Sequence, residues 1–408
     1  MSEMLGNNLS GFLAFGAISV TCLISNRSSF FLLFPIWMVI SGFVLYRRNS
    51  AKEIYTLYGL SRSPYTHKVR TYLKNKRIPF VGRDLNGLEL GWIKVVPLVS
   101  TPERVLLQDS HDIIEFFEKR FPMNNVYPDD ALIRFLSVLI AAWADEHWIP
   151  ATQFYRWTKE VNIDCFRKSL CFPNFVPKFI REKLTKITVE QLLSGLFAVG
   201  VREEQYHLIE LWTNQIFRQL NLHFEQNKFL FGSCPTIGDY GLIGPIELFF
   251  TDPFTCSSFV ARYPHVFSWK ERMDHFDPTS SDTNLMISVT LYPIIRSIFQ
   301  EFIPVIDQTV SLVNNLRNNK RFAKGFPNCL PRGLRQDIQT PYIQSPHFLV
   351  KYAFPFHLWK FQKVLNEYKS DPELIHDGLR AIEVENLTTF MKLEIPKLCR
   401  VGLNVAFD

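Results

Sequence analysis

The chain has 408 residues, 47 % of them hydrophobic and 14 % aromatic, which is enough for two or three domains with a sizeable core and excludes bulk disorder. Its 45 Lys and Arg against 39 Asp and Glu give a net charge of +6; the excess is spread without a dense basic block, which argues against nucleic acid as a partner. Cys22, Cys165, Cys171, Cys234, Cys256, Cys329 and Cys399 are odd in number and form no Cys-x-x-Cys pair. That usage argues against a disulfide framework and against a zinc site, and no metal is expected.

Two uncharged runs open the chain, Leu9 to Ser25 and Phe30 to Tyr46. At 1.5 Å per residue the second is about 25 Å long, just under a roughly 30 Å hydrocarbon core. Met1 to Ser10 has no basic residue, which disfavours a cleaved signal peptide. Residues 1–50 are therefore expected to anchor the chain in a membrane, by one span or by a hairpin turning at Asn26-Arg27. Arg47, Arg48 and Lys52 follow the second run and place the bulk of the chain in the cytosol. The membrane is expected to be the endoplasmic reticulum or the mitochondrial outer membrane.

Past Lys52 the pattern alternates. "EIYTLYGL" reads as a buried strand, "YTHKVRTYLKNK" as an amphipathic helix and "IPFVGRDL" as a second strand. "VVPLVS" and "RVLLQ" are short strands joined by the turn text "TPE". "DSHDIIEFFEKRF" is a helix capped by Asp109 or Ser110. This order, over residues 51–124, predicts a small mixed sheet with helices on its faces. From about Asn125 to Phe276 the periodicity is helical, including "DALIRFLSVLIAAWADEHWIP" and "TIGDYGLIGPIELFF". "FDPTSSDTN" is a linker by composition. Residues 277–408 read as a helical extension with a proline-rich, irregular stretch inside it.

Four local motifs give this order a relative. "SPYTHKVR", "VVPLV", "LLQDSHDIIEFFEKRFP" and "FLFGSCPTIGDYGL" resemble the motifs of soluble glutathione transferases, with Gly238 where the family usually has alanine. The resemblance covers about Lys52 to Phe276. It implies an α/β thioredoxin-like domain followed by an all-α domain, with glutathione as co-substrate. "WADEHW…FYRW" is similar to text in a subset of bacterial-like members that also carry a longer C-terminus.

Under that resemblance Ser63 is the catalytic candidate. A thiol with a pKa near 8.5 is only about 3 % thiolate at pH 7. A hydroxyl donor contributes about 1.5–3 kcal/mol to the anion and a helix N-terminus roughly 0.3–1 kcal/mol more, together enough to lower the pKa by about two units. Ser61 and Tyr65 are rival hydroxyls, and a plain N-cap is the alternative for Ser63. The absence of cysteine from "SPYT" disfavours thiol–disulfide exchange. In the resemblance a cis Val96-Pro97 bond offers the Val96 backbone to the cysteinyl unit, against an ordinary trans edge proline. Asp109 and Ser110 hold the γ-glutamyl end, against simple capping. Thr236 and Asp239 have capping-box spacing and a folding role. Tyr65, Trp143, His147, Tyr155 and Trp157 are candidates to line a pocket for a hydrophobic electrophile, with core packing between helices as the alternative. Glu146-His147 lacks a second histidine at helical spacing for a metal.

The function expected first is glutathione conjugation to a hydrophobic electrophile by a membrane-anchored protein, with a homodimer possible. The alternative is a non-catalytic adaptor or scaffold on an organelle membrane. Prostaglandin-type isomerisation is weakened by the missing cysteine pair.

Overall fold

In the computed structural model, which describes residues 54–85, 95–170, 176–279, 284–317, 329–341, 348–401 and 404–408, strand β1 (Tyr55–Gly59) is the first element. The chain divides into Met1–Glu53 and Ile54–Asp408; the expected membrane segment lies outside the described residues, and the fold below is that of the second unit. Helix α1 (Pro64–Asn75) crosses from β1 to the parallel strand β2 (Phe80–Asp84). Strand β3 (Leu98–Ser100) runs antiparallel to β1, and β4 (Leu106–Gln108) antiparallel to β3. The sheet order is β2-β1-β3-β4, the thioredoxin-like arrangement expected from the sequence. Helix α2 (Ser110–Arg120) follows and packs beside α1, with the rings of Tyr72 and Phe117 6.5 Å apart.

The helical part is built around α3 (Ala131–Glu146) and α8 (Ile237–Thr251). Helix α8 is apolar nearly all round, as a helix surrounded by protein must be. The capping box forms: Asp239 accepts from the Thr236 N–H at 2.9 Å. The same carboxylate accepts from the Leu230 N–H and from Trp269 Nε1, each at 3.0 Å. Glycine sets the spacing. A Cβ on Gly241 would stand 2.6 Å from Ala141 Cα, and one on Gly244 would stand 3.1 Å from the Pro64 carbonyl oxygen. The neighbouring helices are α4 (Ile149–Trp157), α5 (Glu160–Ser169), α6 (Lys178–Ser194), α7 (Tyr206–Gln226), α9 (Cys256–Arg262) and α10 (Pro264–Asp274).

The C-terminal part departs from the all-helical expectation. It contains α11 (Tyr292–Arg317), α12 (Pro355–Tyr368), α13 (Pro372–Ile382) and α14 (Leu387–Met391), but also two antiparallel hairpins. These pair β5 (Leu334–Pro341) with β6 (Phe348–Ala353), and β7 (Leu398–Val401) with β8 (Asn404–Phe407). Strand β5 was hidden in the proline-rich text because Arg335, Gln336, Asp337 and Gln339 face solvent and only Leu334, Ile338 and Thr340 turn inward. The stretch Val289–Leu316 is long and apolar enough to cross a membrane, yet 61 % of its most apolar window is buried, so α11 is a core helix here. One continuous apolar core joins Tyr55 of β1 to Val405 of β8.

Because the α3–α8 crossing leaves no room for a side chain at Gly241, Gly241→Val is expected to destabilise the protein by about 1–3 kcal/mol or more. Chemical denaturation of wild type and variant measures the difference.

Candidate functional site

A cavity of about 330 Å³ lies between the sheet, the end of α3, the start of α4 and the C-terminal part. The sheet side supplies Val96, Pro97, Gln108, Asp109 and Ser110. The Val96–Pro97 bond is cis. Asp109 caps α2 by accepting from the His111 N–H at 2.9 Å, and holds φ at 78°, an uncommon conformation for a residue with a side chain. Ser110 is buried, and its Oγ has no hydrogen-bond partner among the described residues. Tyr65, Glu146, Ile149 and Gln153 form the helical wall. Opposite stand Arg332, Lys351, Phe354, Phe356, His357, Lys360 and Arg400.

A buried charge cluster forms the floor. Lys68 Nζ donates to both Asp145 carboxylate oxygens at 2.9 and 2.8 Å. Lys360 Nζ, from α12, lies 3.2 Å from Asp145, 3.1 Å from Glu146 and 3.6 Å from Asp109. His357 Nε2 is 2.8 Å from Glu146. The Tyr65 hydroxyl donates to the Asp145 carbonyl at 2.8 Å. Burial works against ionisation of Glu146, but Lys360 and His357 overcome it and hold the carboxyl down at about 2. Burial likewise opposes the Asp109 charge, and Lys360 and His111 hold its carboxyl below the usual range. Burial would lower Lys360, yet Asp109, Asp145 and Glu146 raise it well above an ordinary lysine. Burial and the Glu146 charge push the Tyr65 phenol up, so it stays protonated.

Lys351 is different. It is 2 % exposed and lines the cavity, but among the described residues it forms no ion pair. Burial pushes its ammonium down to about 8, with Glu146 offsetting part of the effect from a distance.

The residues singled out in the sequence fall into two groups. Tyr65, Val96, Pro97, Asp109 and Ser110 meet at the cavity. Ser63 does not line it: the Ser63 Oγ caps α1, accepting from the Thr66 N–H at 3.3 Å. The aromatic candidates stand in the core. Trp143 lies edge-on to Trp148 and Trp212. His147 sits 3.2 Å from the buried Glu301. Tyr155 packs on Phe249 and Phe259, and Trp157 on Phe166 in a small second cluster. Their spacing reflected packing between helices, which uses the same periodicity as a cleft wall. Arg156 makes two 2.8 Å bonds to Asp252 and one of 2.7 Å to the Arg62 carbonyl. It thereby fixes the loop that leads into Ser63. Sequence reading missed Lys351, His357, Lys360 and Arg400, which lie more than 200 residues from the sheet and carry no motif.

His67, Glu247 and Asp274 place ligand atoms within 4.8 Å of one another. Lys270 Nζ already stands among them, 2.8 Å from Asp274 and 3.4 Å from Glu247.

No family model and no curated protein matches the sequence. Solved structures do. A glutathione S-transferase from Rhodospirillum rubrum F11 is 16 % identical and aligns over 54 % of this chain and 86 % of its own, with a TM-score of 0.34. The β-etherase LigF from Sphingobium sp. strain SYK-6 is 14 % identical over 55 % of this chain and 96 % of its own, with a TM-score of 0.40. Rice GST1, solved in complex with glutathione, is 15 % identical over 60 % of this chain and 96 % of its own, at 0.36.

The Lys351 environment gives a pH signature. Its folded pKa of about 8 lies below the ordinary value of 10.5, so between these the unfolded chain binds more protons and stability rises with pH. Lys360, His357 and Glu146 share the cavity wall in both proteins, so a comparison isolates Lys351. Lys351→Met is expected to abolish that rise, read as melting temperature against pH from about 7.5 to 10.5.

Proposed function

We propose that residues 54–408 form a glutathione-transferase-like body that binds a small acidic molecule of the glutathione class in this cavity, and holds it rather than conjugating it. One observation carries the reading: the cavity is lined by Val96, Asp109 and Ser110, whereas the Ser63 Oγ is outside the lining and engaged as a helix cap. The size of the cavity supports it, since about 330 Å³ falls within the range of small-molecule sites. The hydroxyl chemistry at the cavity points the same way. The Tyr65 proton is donated to the Asp145 carbonyl, so that hydroxyl is already engaged. The apolar runs of residues 1–50 add a membrane anchor to this reading, with the bulk on the cytosolic side of the endoplasmic reticulum or mitochondrial outer membrane. Alkaline washing of membranes carrying the full-length chain tests the anchor. Retention in the pellet is expected, and release would overturn it.

Conjugation through a Ser63-stabilised thiolate is the competing reading, and one experiment separates the two. Glutathione is titrated calorimetrically into the purified full-length chain and its Ser63→Ala variant, and turnover is followed with a chloronitrobenzene electrophile. Equal binding by both proteins, to within about twofold, is expected, with no turnover by either. The variant is expected to lose about 0.5–2 kcal/mol of stability with its cap. Turnover by the wild type that disappears in Ser63→Ala would establish conjugation instead.

A further inference from the structure

We propose that Lys351 anchors the anionic group of the cavity's ligand, and that this ligand is an organic acid whose amino group, if it has one, is not recognised. The inference rests on the binding role proposed above and names its chemistry.

Strand β6 alternates, and Leu349, Lys351 and Ala353 form its inward row. A lysine in such a row is rarely fully buried without a partner. The other buried lysines of this region obey that rule: Lys68 pairs with Asp145, and Lys360 with Asp109, Asp145 and Glu146. Lys351 has only Glu146 acting on it from beyond pairing distance, and that carboxylate is held by Lys360 and His357. A buried ammonium at a cavity, with no counter-ion among the described residues, is complementary to a ligand anion.

The second observation is at the opposite wall. The buried Ser110 Oγ has no partner among the described residues and stands in the first turn of the eleven-residue helix α2, where the helix dipole also favours negative charge. The cavity thus presents two anion-seeking positions. At the place where a ligand ammonium would find a carboxylate, the Lys360 ammonium already stands 3.6 Å from Asp109 and offsets its charge. Four cationic side chains line the cavity against two carboxylates. The class that fits is a molecule with a carboxylate toward each wall, and glutathione meets it through its two carboxylates.

The test is calorimetric titration of the full-length chain, wild type, Lys351→Met and Lys351→Arg, with three probes: glutathione, glutathione acetylated on its α-amino nitrogen, and glutarate. The wild type is expected to bind glutathione and the acetylated form with dissociation constants within about threefold of each other. Lys351→Met is expected to weaken both at least about tenfold, as loss of a charged hydrogen bond does, and Lys351→Arg to restore most of the loss. Lys351→Met should melt no lower than wild type, since it removes an unpaired buried charge; should it fail to fold, Lys351→Gln takes its place. Binding of glutathione but not of its acetylated form would show that Asp109 reads the ammonium, overturning this inference while the binding role stands. Undiminished binding by Lys351→Met would also overturn it. Glutarate binding that depends on Lys351, with neither tripeptide bound, would remove the glutathione class and keep the inference. No binding of any probe would overturn both.

Discussion

The Lys360 ammonium joins the three parts of the described unit. It sits on α12 in the C-terminal part, and its carboxylate partners belong to the cap of α2 and the last turn of α3. A buried ion pair is stabilising only when geometry and further hydrogen bonds offset the loss of water, and removing one partner leaves an uncompensated charge. Here Asp145 also takes Lys68, and Glu146 also takes His357. The cluster therefore holds α1, α2, α3 and α12 in one arrangement, and none of these helices leaves without stranding a charge. The C-terminal part is a structural component of the site.

This constraint alters what the thioredoxin-like half can do. An acid–serine pair at a helix N-terminus is suited to a ligand with both a carboxylate and an ammonium. In this protein an internal ammonium stands against the acid, and among the described residues the Ser110 hydroxyl has no hydrogen-bond partner. The first helix is altered in the same direction. Ser63 caps it, and Arg156 and Asp252 lock the preceding loop through Arg62. The Ser63 Oγ thus accepts as the cap of α1 and Arg156 ties down the loop before it, while Val96, Asp109 and Ser110 line the cavity.

Local rules were legible and distant pairings were not. Alternation and turn text gave β1 to β4 within two or three residues of their ends, and capping rules gave Ser63, Asp109 and the Thr236–Asp239 box. Each of these is set by neighbours within about four positions. Proline isomer at Val96-Pro97 is not encoded locally, so both forms were open until the backbone was seen. The aromatic stretch from Trp143 to Trp157 could not be divided into wall and core, since a side chain facing another helix and one facing a cleft share the same period. Lys360 and Asp145 are 215 positions apart; nothing in "FPFHLWKF" signals three carboxylates waiting in the fold. Strand β5 escaped because a half-exposed edge hairpin needs only three inward residues.

The same cluster constrains which cavity wall can move. Swinging α12 outward would separate Lys360 from three carboxylates and His357 from Glu146 in one motion, exposing charges that are stable only together. The cavity wall that involves no such cost is the one carrying Arg332, which is exposed, and Arg400, which bonds the Gln108 carbonyl and Asp112 near the surface. Both are cations lining the cavity, and fixed positive charge there raises the local concentration of anions. The buried pairs and the unpaired lysine thus have one origin: the carboxylates at the cavity are neutralised by the protein itself, and among the described residues Lys351 is the cavity lysine left without an ion pair.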